Sequence, residues 1–129
     1  MKILLDTHVL LWALSNKVNE RISDILNDRN NTIYVSFASV WEIEIKHKKN
    51  PKLMPISGAQ LLDSIIKSDY QFLNIKYQHF TKLSEAMKMD IHSDPFDLVI
   101  IAAAMSEKMT LISHDKLVAK YPNLFLIHC

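Results

Sequence analysis

The chain has 129 residues, 49% hydrophobic and 22% charged, and a formal net charge of +1 from 15 basic and 14 acidic side chains. That length suits one domain around one core, and the composition argues against a disordered or fibrous chain. A charge so near balance does not advertise a nucleic-acid binder, but it leaves room for one built on a local basic patch.

The opening run, MKILLDTHVLLWALS, is apolar enough to raise the question of an export signal or membrane span. Asp6 and His8 interrupt it, and the apolar pieces are too short for either. It reads instead as a strand at 3–5 followed by a helix at 7–14. Ile22, Ile25 and Leu26 recur at helical spacing in 19–26, giving a second helix. Asn30 and Asn31 make a turn, and 32–35 is a β-branched and aromatic strand. Ser36 suits the N-cap of a helix from Phe37 to about His47, which Asn50-Pro51 ends. Residues 46–55 form the loosest stretch, with two prolines and clustered basic residues. Ser57 opens a helix to about Ser68, with Leu61, Leu62, Ile65 and Ile66 on its inner face. A strand at 71–75 and a helix at 77–87 follow. Asp94-Pro95 then starts the strongest helix, to about Met105. A strand at 110–113, a short helix at 116–120 and a strand at 124–127 close the pattern.

Strands alternate with helices, so an α/β fold with a parallel sheet is expected, in one domain over 1–129, with no visible repeat or linker. The single cysteine, Cys129, allows no internal disulfide and favours a reducing, cytoplasmic setting.

Four acids stand where strands meet helices: Asp6, Glu42, Asp97 and Asp115. In a parallel sheet the carboxyl ends of the strands share one edge, where ligands bind. Carboxylates gathered there repel one another unless a cation lies between them, which points to a divalent metal and to phosphodiester chemistry. Each acid also has a plain structural reading. Asp6 and Asp115 can cap the helices after them, and Asp94 is favoured as a cap for the helix that carries Asp97. Glu42 and Glu44 share one helix and cannot be separated by periodicity. Each has a lysine four residues on, Lys46 and Lys48, and an exposed ion pair is the default for both. The six histidines show no HxxxH or HxH spacing, so zinc is not expected. Trp12 and Trp41 read as core or interface rather than as base-stacking platforms.

Four segments together carry a resemblance: LLDTHVLLWAL at 4–14, VSFASVWEIEIK at 35–46, HSDPFDLVIIAAAM at 92–105 and LISHD at 111–115. In order, spacing and total length the chain resembles the PIN-domain family, and within it the VapC-type ribonuclease toxins of toxin–antitoxin pairs. The resemblance implies a compact three-layer α/β/α sandwich with a central, mostly parallel sheet. It implies an Mg²⁺- or Mn²⁺-dependent endoribonuclease with catalytic acids at Asp6, Glu42, Asp97 and Asp115, choosing Glu42 over Glu44. Asp6, Asp97 and Asp115 would hold the metal. Thr7 and Ser113 match small hydroxyl positions beside the acids, and Lys46 a basic position after the second acid. A cognate antitoxin and a homodimer are implied as well. Lys46, Lys48, Lys49 and Lys52 are candidates for RNA-backbone contacts.

The chain departs from the family pattern in places. Relatives often read H-R-D-P-F-D-R, where this chain has Ser93 and Leu98 in place of the arginines. That predicts a pocket without a cation of its own there. Glycines common near 50 and 108 are Asn50 and Lys108 here. Two other readings stay open at this stage: a receiver-type phospho-acceptor domain, against which Asp69 precedes its strand, and a non-enzymatic protein-binding domain on the same fold.

Overall fold

A computed structural model describes all residues, Met1–Cys129. Five strands, β1 (Lys2–Leu5), β2 (Thr32–Ser36), β3 (Gln71–Leu73), β4 (Thr110–Ser113) and β5 (Leu126–His128), form one sheet in the order β3-β2-β1-β4-β5. Every pairing is parallel, so the sheet is wholly rather than mostly parallel. The connections carry six helices: α1 (Thr7–Leu14), α2 (Glu20–Asn27), α3 (Phe37–Lys49), α4 (Gly58–Lys67), α5 (Phe80–Lys88) and α6 (Pro95–Glu107).

The central strands β1 and β4 are short, apolar and buried on both faces, as a sheet covered on each side requires, while the edge strands β3 and β5 are more exposed. Successive side chains alternate. Ile3 and Leu5 of β1 join Ile33, Val35 and Ile112 in a cluster beneath α1, α2 and α4, while Leu4 joins Leu111 in a second cluster beneath α5 and α6. That is the α/β/α sandwich. Truncating a core leucine such as Leu4 to alanine is expected to cost about 2–5 kcal/mol.

Helix starts follow the expected chemistry. Asn19 accepts from the Ile22 N–H, Ser36 from the Ala38 N–H, and Ser57 from the Gln60 N–H in a full capping box. The one glycine has a packing reason. A Cβ on Gly58 would lie 2.8 Å from the Cβ of Glu44, so glycine lets α4 approach α3. Glu44 Oε1 accepts from the Gly58 N–H at 3.3 Å. Glu44 therefore serves the start of α4 and does not form the expected ion pair with Lys48.

Several boundaries differ from the sequence reading. Ile66 is 65% exposed, because only Leu61 and Ile65 point fully inward from α4. The 77–87 segment splits into a 3₁₀ turn at Tyr77–His79 and then α5, pinned by buried His79, whose Nε2 bonds Glu107 Oε1 at 2.9 Å. The strands at 71–75 and 124–127 shorten or shift to Gln71–Leu73 and Leu126–His128. The 46–55 stretch is tied rather than loose: Asn50 Oδ1 accepts from the N–H groups of Lys52 and Leu53, and His47 Nδ1 bonds the Met54 carbonyl at 2.8 Å.

Candidate active site

Because all strands are parallel, their carboxyl ends share one edge, and the connections place chemistry there. Asp6 follows β1 and caps α1, its Oδ1 accepting from the Val9 N–H at 2.9 Å. Its Oδ2 accepts a short hydrogen bond from Ser113 Oγ, at the end of β4. The capping reading is thus correct, and it leaves Asp6 buried beside the neighbouring strand. Burial raises its carboxyl above the ordinary range, although the bonds from Ser113 and Val9 work the other way.

Glu42 is 3% exposed and faces the same edge from α3. Thr7 Oγ1 donates to its Oε1 at 2.7 Å, and Lys46 Nζ donates to its Oε2 at 2.6 Å. Since the Thr7 proton is committed to Glu42, the Ser39 hydroxyl is the donor in its 2.9 Å contact with Thr7 Oγ1. The expected Glu42–Lys46 pair exists, but its carboxylate is buried instead of exposed. Both hydroxyls thus lie beside acids and donate to them, Thr7 to Glu42 and Ser113 to Asp6.

Asp97 and Asp115 lie on the other flank. Asp94 caps α6 through the N–H groups of Phe96 and Asp97, as its Asp-Pro context indicated. This leaves the Asp97 side chain free to face His92, at 3.2 Å from Nε2. Asp115 caps the 3₁₀ turn at Lys116–Lys120, its Oδ1 accepting from the Leu117 N–H, while its Oδ2 lies 2.6 Å from the same His92 Nε2.

His92 is the functional-site member that sequence spacing missed. Its Nδ1 accepts from the Asp94 N–H at 3.2 Å, so the ring proton sits on Nε2, between the two carboxylates. Its own N–H donates to the Tyr121 hydroxyl at 3.0 Å. The available signal was its place two residues before the cap of α6, in the loop that delivers the helix to the edge. With no arginine at 93 or 98, the one side-chain cation that meets an acid of the pocket is Lys46, and His92 adds a ring N–H donor. Leu98 is buried in the core and Ser93 is exposed.

The electrostatics divide accordingly. Burial, then the charges of Asp94 and Glu42, push the Asp97 carboxyl up to about 7, against the pull of His92. Partial burial would raise Asp115 too, but the bonds from His92 and Leu117 outweigh it and hold Asp115 below the usual range. Burial and neighbouring acids thus dominate at Asp97, and hydrogen bonding dominates at Asp115.

One donor atom from each of His92, Asp97 and Asp115 lies within 4.8 Å of the other two. Carboxylate oxygens are hard donors suited to Mg²⁺ or Mn²⁺, and an acid held near neutrality by its neighbours gains from an added cation, so these residues fit the metal. Among the lysines, only Lys46 meets an acid of the site. Lys48, Lys49 and Lys52 are exposed toward the far end of α3, with Lys49 about 10 Å along the axis from Glu42. Asp69 precedes β3 and lines a surface hollow with Asp28 and Thr32 at the opposite, amino-terminal edge, which removes the geometry a receiver domain needs. Trp12 packs against the core cluster, and Trp41 lies outside it. Trp41 is 54% exposed and meets Phe96 edge-on at 5.2 Å, and Trp12 is half-buried.

The family model for the PIN domain matches residues 3–124. No curated protein matches the chain. Solved structures do. A chain of VapBC2 from Rickettsia felis, bound to a promoter DNA fragment, aligns with TM-score 0.76 and 22% identity over 99% of this chain and 98% of that one. DNA-bound VapBC from Salmonella typhimurium aligns with TM-score 0.73 and 15% identity over the same shares. VapBC-5 from Mycobacterium tuberculosis, a member of the VapBC family of toxin-antitoxin systems, aligns with TM-score 0.65 and 14% identity, again over 99% and 98%. At such identities the likeness speaks to fold.

Proposed function

The chain belongs to the PIN domain family, and from that premise we propose that it is a metal-dependent endoribonuclease, the toxin of a pair whose second member is an inhibitory antitoxin. One observation carries the nuclease reading: Asp6, Glu42, Asp97 and Asp115 gather at one sheet edge, where burial and the charges of Asp94, Glu42 and Asp6 raise the Asp97 carboxyl to about 7. Residues 1–129 act as one domain in this reading, in the cytoplasm, on RNA. No helix is long and apolar enough to cross a membrane.

Asp97 and Asp115, with Asp6 beside them, would hold Mg²⁺ or Mn²⁺, which when bound supplies positive charge opposite the phosphoryl oxygens and acidifies a water. The protein's own groups set the stage. Ser113 fixes Asp6, Thr7 and Lys46 fix Glu42, and His92 keeps Asp97 and Asp115 together. Water attacks phosphorus in line, its oxygen forming the new P–O bond as the bond to the 3′ oxygen breaks. The 3′ oxygen takes a proton, leaving a 3′-hydroxyl and a 5′-phosphate. Lys48, Lys49 and Lys52 offer backbone phosphate contacts away from the acids.

The fold shared with VapBC chains supports an antitoxin partner. An arginine from that partner would pair with the acids and take the cation's place. Exposed Tyr77, Phe80 and Met87 support a homodimer, since large exposed apolar side chains mark interfaces. RNA cleavage should vanish in EDTA and return with Mg²⁺ or Mn²⁺, and full activity in chelator overturns the mechanism. Growth arrested by this chain should recover when its neighbouring gene is co-expressed. No arrest and no co-purification would remove the toxin–antitoxin reading while leaving the nuclease to stand. Sedimentation of a concentration-independent monomer would remove the dimer.

A further inference from the structure

Four rings run along the sheet edge on the β4–β5 side of the acids. His8, in the first turn of α1, lies 6.1 Å from Trp12, ring centroid to centroid. Trp12 meets His114 edge-on at 5.1 Å. His114 stacks on His128 at 5.9 Å with 27° between planes. The topology explains the row. His8 follows Asp6 after β1, His114 stands between Ser113 and Asp115 after β4, and His128 ends β5 in register with Ser113. The three histidines are exposed and Trp12 is half-buried. The charge of His8 is felt by both Asp6 and Asp115, which places one end of the row beside the acids.

The row is fixed before any ligand arrives. His114 Nδ1 bonds the Cys129 carbonyl at 2.7 Å, which orients that ring and assigns its proton to Nδ1. A cleft of about 220 Å³, lined among others by Trp12, Lys17, Asn19 and His114, opens beside it. Core packing does not account for three exposed imidazoles, and none of them bonds a carboxylate side chain. Flat rings beside a cation are what single-stranded nucleic acids use, because every base has a π-face and every linkage a charge.

We propose that this row is a base-stacking ledge for single-stranded RNA: successive bases next to the scissile phosphate lie against the rings of His8, Trp12, His114 and His128, and Lys17 meets an adjoining phosphate. This rests on the nuclease reading and extends it to the nucleotide flanking the cut. It also gives Trp12, expected as core or interface, a base-stacking role. A neutral imidazole stacks as a charged one does, so the ledge does not depend on protonation.

Short fluorescein-labelled single-stranded RNA, with the full chain in EDTA so that nothing is cut, gives the test by anisotropy. His8 and His128 end the row and are exposed, so replacing them leaves the core untouched. His8→Ala and His128→Ala should each weaken binding about tenfold, in line with the loss of a stacked base. His8→Phe and His128→Phe should bind like the parent chain, since they keep the ring and discard the charge. Lys17→Gln should flatten the salt dependence of binding. If alanine and phenylalanine weaken binding alike, the histidines act as charges and the ledge is wrong. Unchanged binding in every variant also overturns it, while metal-dependent cleavage by the same preparations keeps the nuclease reading. A parent chain that neither binds nor cuts RNA overturns both. If RNA binding is untouched but the co-expressed partner no longer co-purifies, the row is a protein-docking face and the RNA assignment fails.

Discussion

Asp6 and Glu42 have a donor at every side-chain oxygen, whereas Asp97 has only a share of one imidazole proton. The first two are buried, and their charge is answered by hydroxyls, a backbone N–H and one ammonium. Asp97 is 29% exposed at its side chain and answered by a single neutral-or-charged ring, which sits closer to Asp115. Unpaired carboxylates in a partly dry pocket are costly, so the protein has finished one flank and left the other short of positive charge. The finished flank acts as scaffold. The unfinished flank is where an incoming cation gains most.

Removing the unfinished charge tests this most severely. Asp97→Asn should lower cleavage more than about a hundredfold, as loss of a metal ligand does at least what loss of its supporting shell does. In chelator the same variant should be more stable than the parent, with a definite pH dependence. The folded Asp97 takes up its proton at about 7 rather than 3.8. The stability tied to that proton is complete below the ordinary carboxylate range and lost as pH rises toward 7. The asparagine advantage should therefore be absent near pH 4, full above pH 7, and reduced when Mg²⁺ is added. Thermal melts across that range check it, and a flat difference would break the comparison.

His92→Ala should weaken Mn²⁺ or Mg²⁺ binding about tenfold to a hundredfold by calorimetry, the usual effect of losing a residue that orients ligands. Tighter binding would mean the ring competes with the cation instead of positioning its ligands. On the finished flank, Ser113→Ala strips a buried carboxylate of a donor. It should cost about 1–3 kcal/mol in urea melts, and an unchanged midpoint would show that the bond contributes nothing. The smallest effect belongs to Glu44→Gln, which keeps the acceptor facing Gly58. Cleavage should be unaltered and stability should move by less than about 0.5 kcal/mol. Should it inactivate while Glu42→Gln does not, the wrong glutamate has been placed in the site.

Local chemistry explains what the sequence made legible. Short apolar runs marked the strands, and Asn19, Ser36, Ser57 and Asp94 marked helix starts, because caps act within three residues. Asp6, Asp97 and Asp115 were visible because each lies within three residues of such a boundary, whereas Glu42 sits inside α3 and only the family resemblance separated it from Glu44. His92 was not, since its tie to Asp115 spans 23 positions and depends on how α6 is delivered to the edge. Glu44 misled for a similar reason: its partner is a backbone N–H on the next helix, which no i, i+4 pattern contains. The missing glycines differ from each other. Lys108 does occupy the left-handed region, at φ 55° and ψ 42°, closing α6, so glycine would suit it. Asn50, at φ −153°, has no such need.

The bond between Ser113 and Asp6 joins positions 107 residues apart, across a sheet whose first strand lies in the middle. A ribosome adding residues at about 5–20 per second needs roughly five to twenty seconds to go from one to the other. During that interval β1 has no β4 beside it, and Asp6 stands without Ser113 or Asp115. The four acids can share one edge only once β4 and the turn after it have emerged and paired with β1, so the site is among the last features of the fold to form.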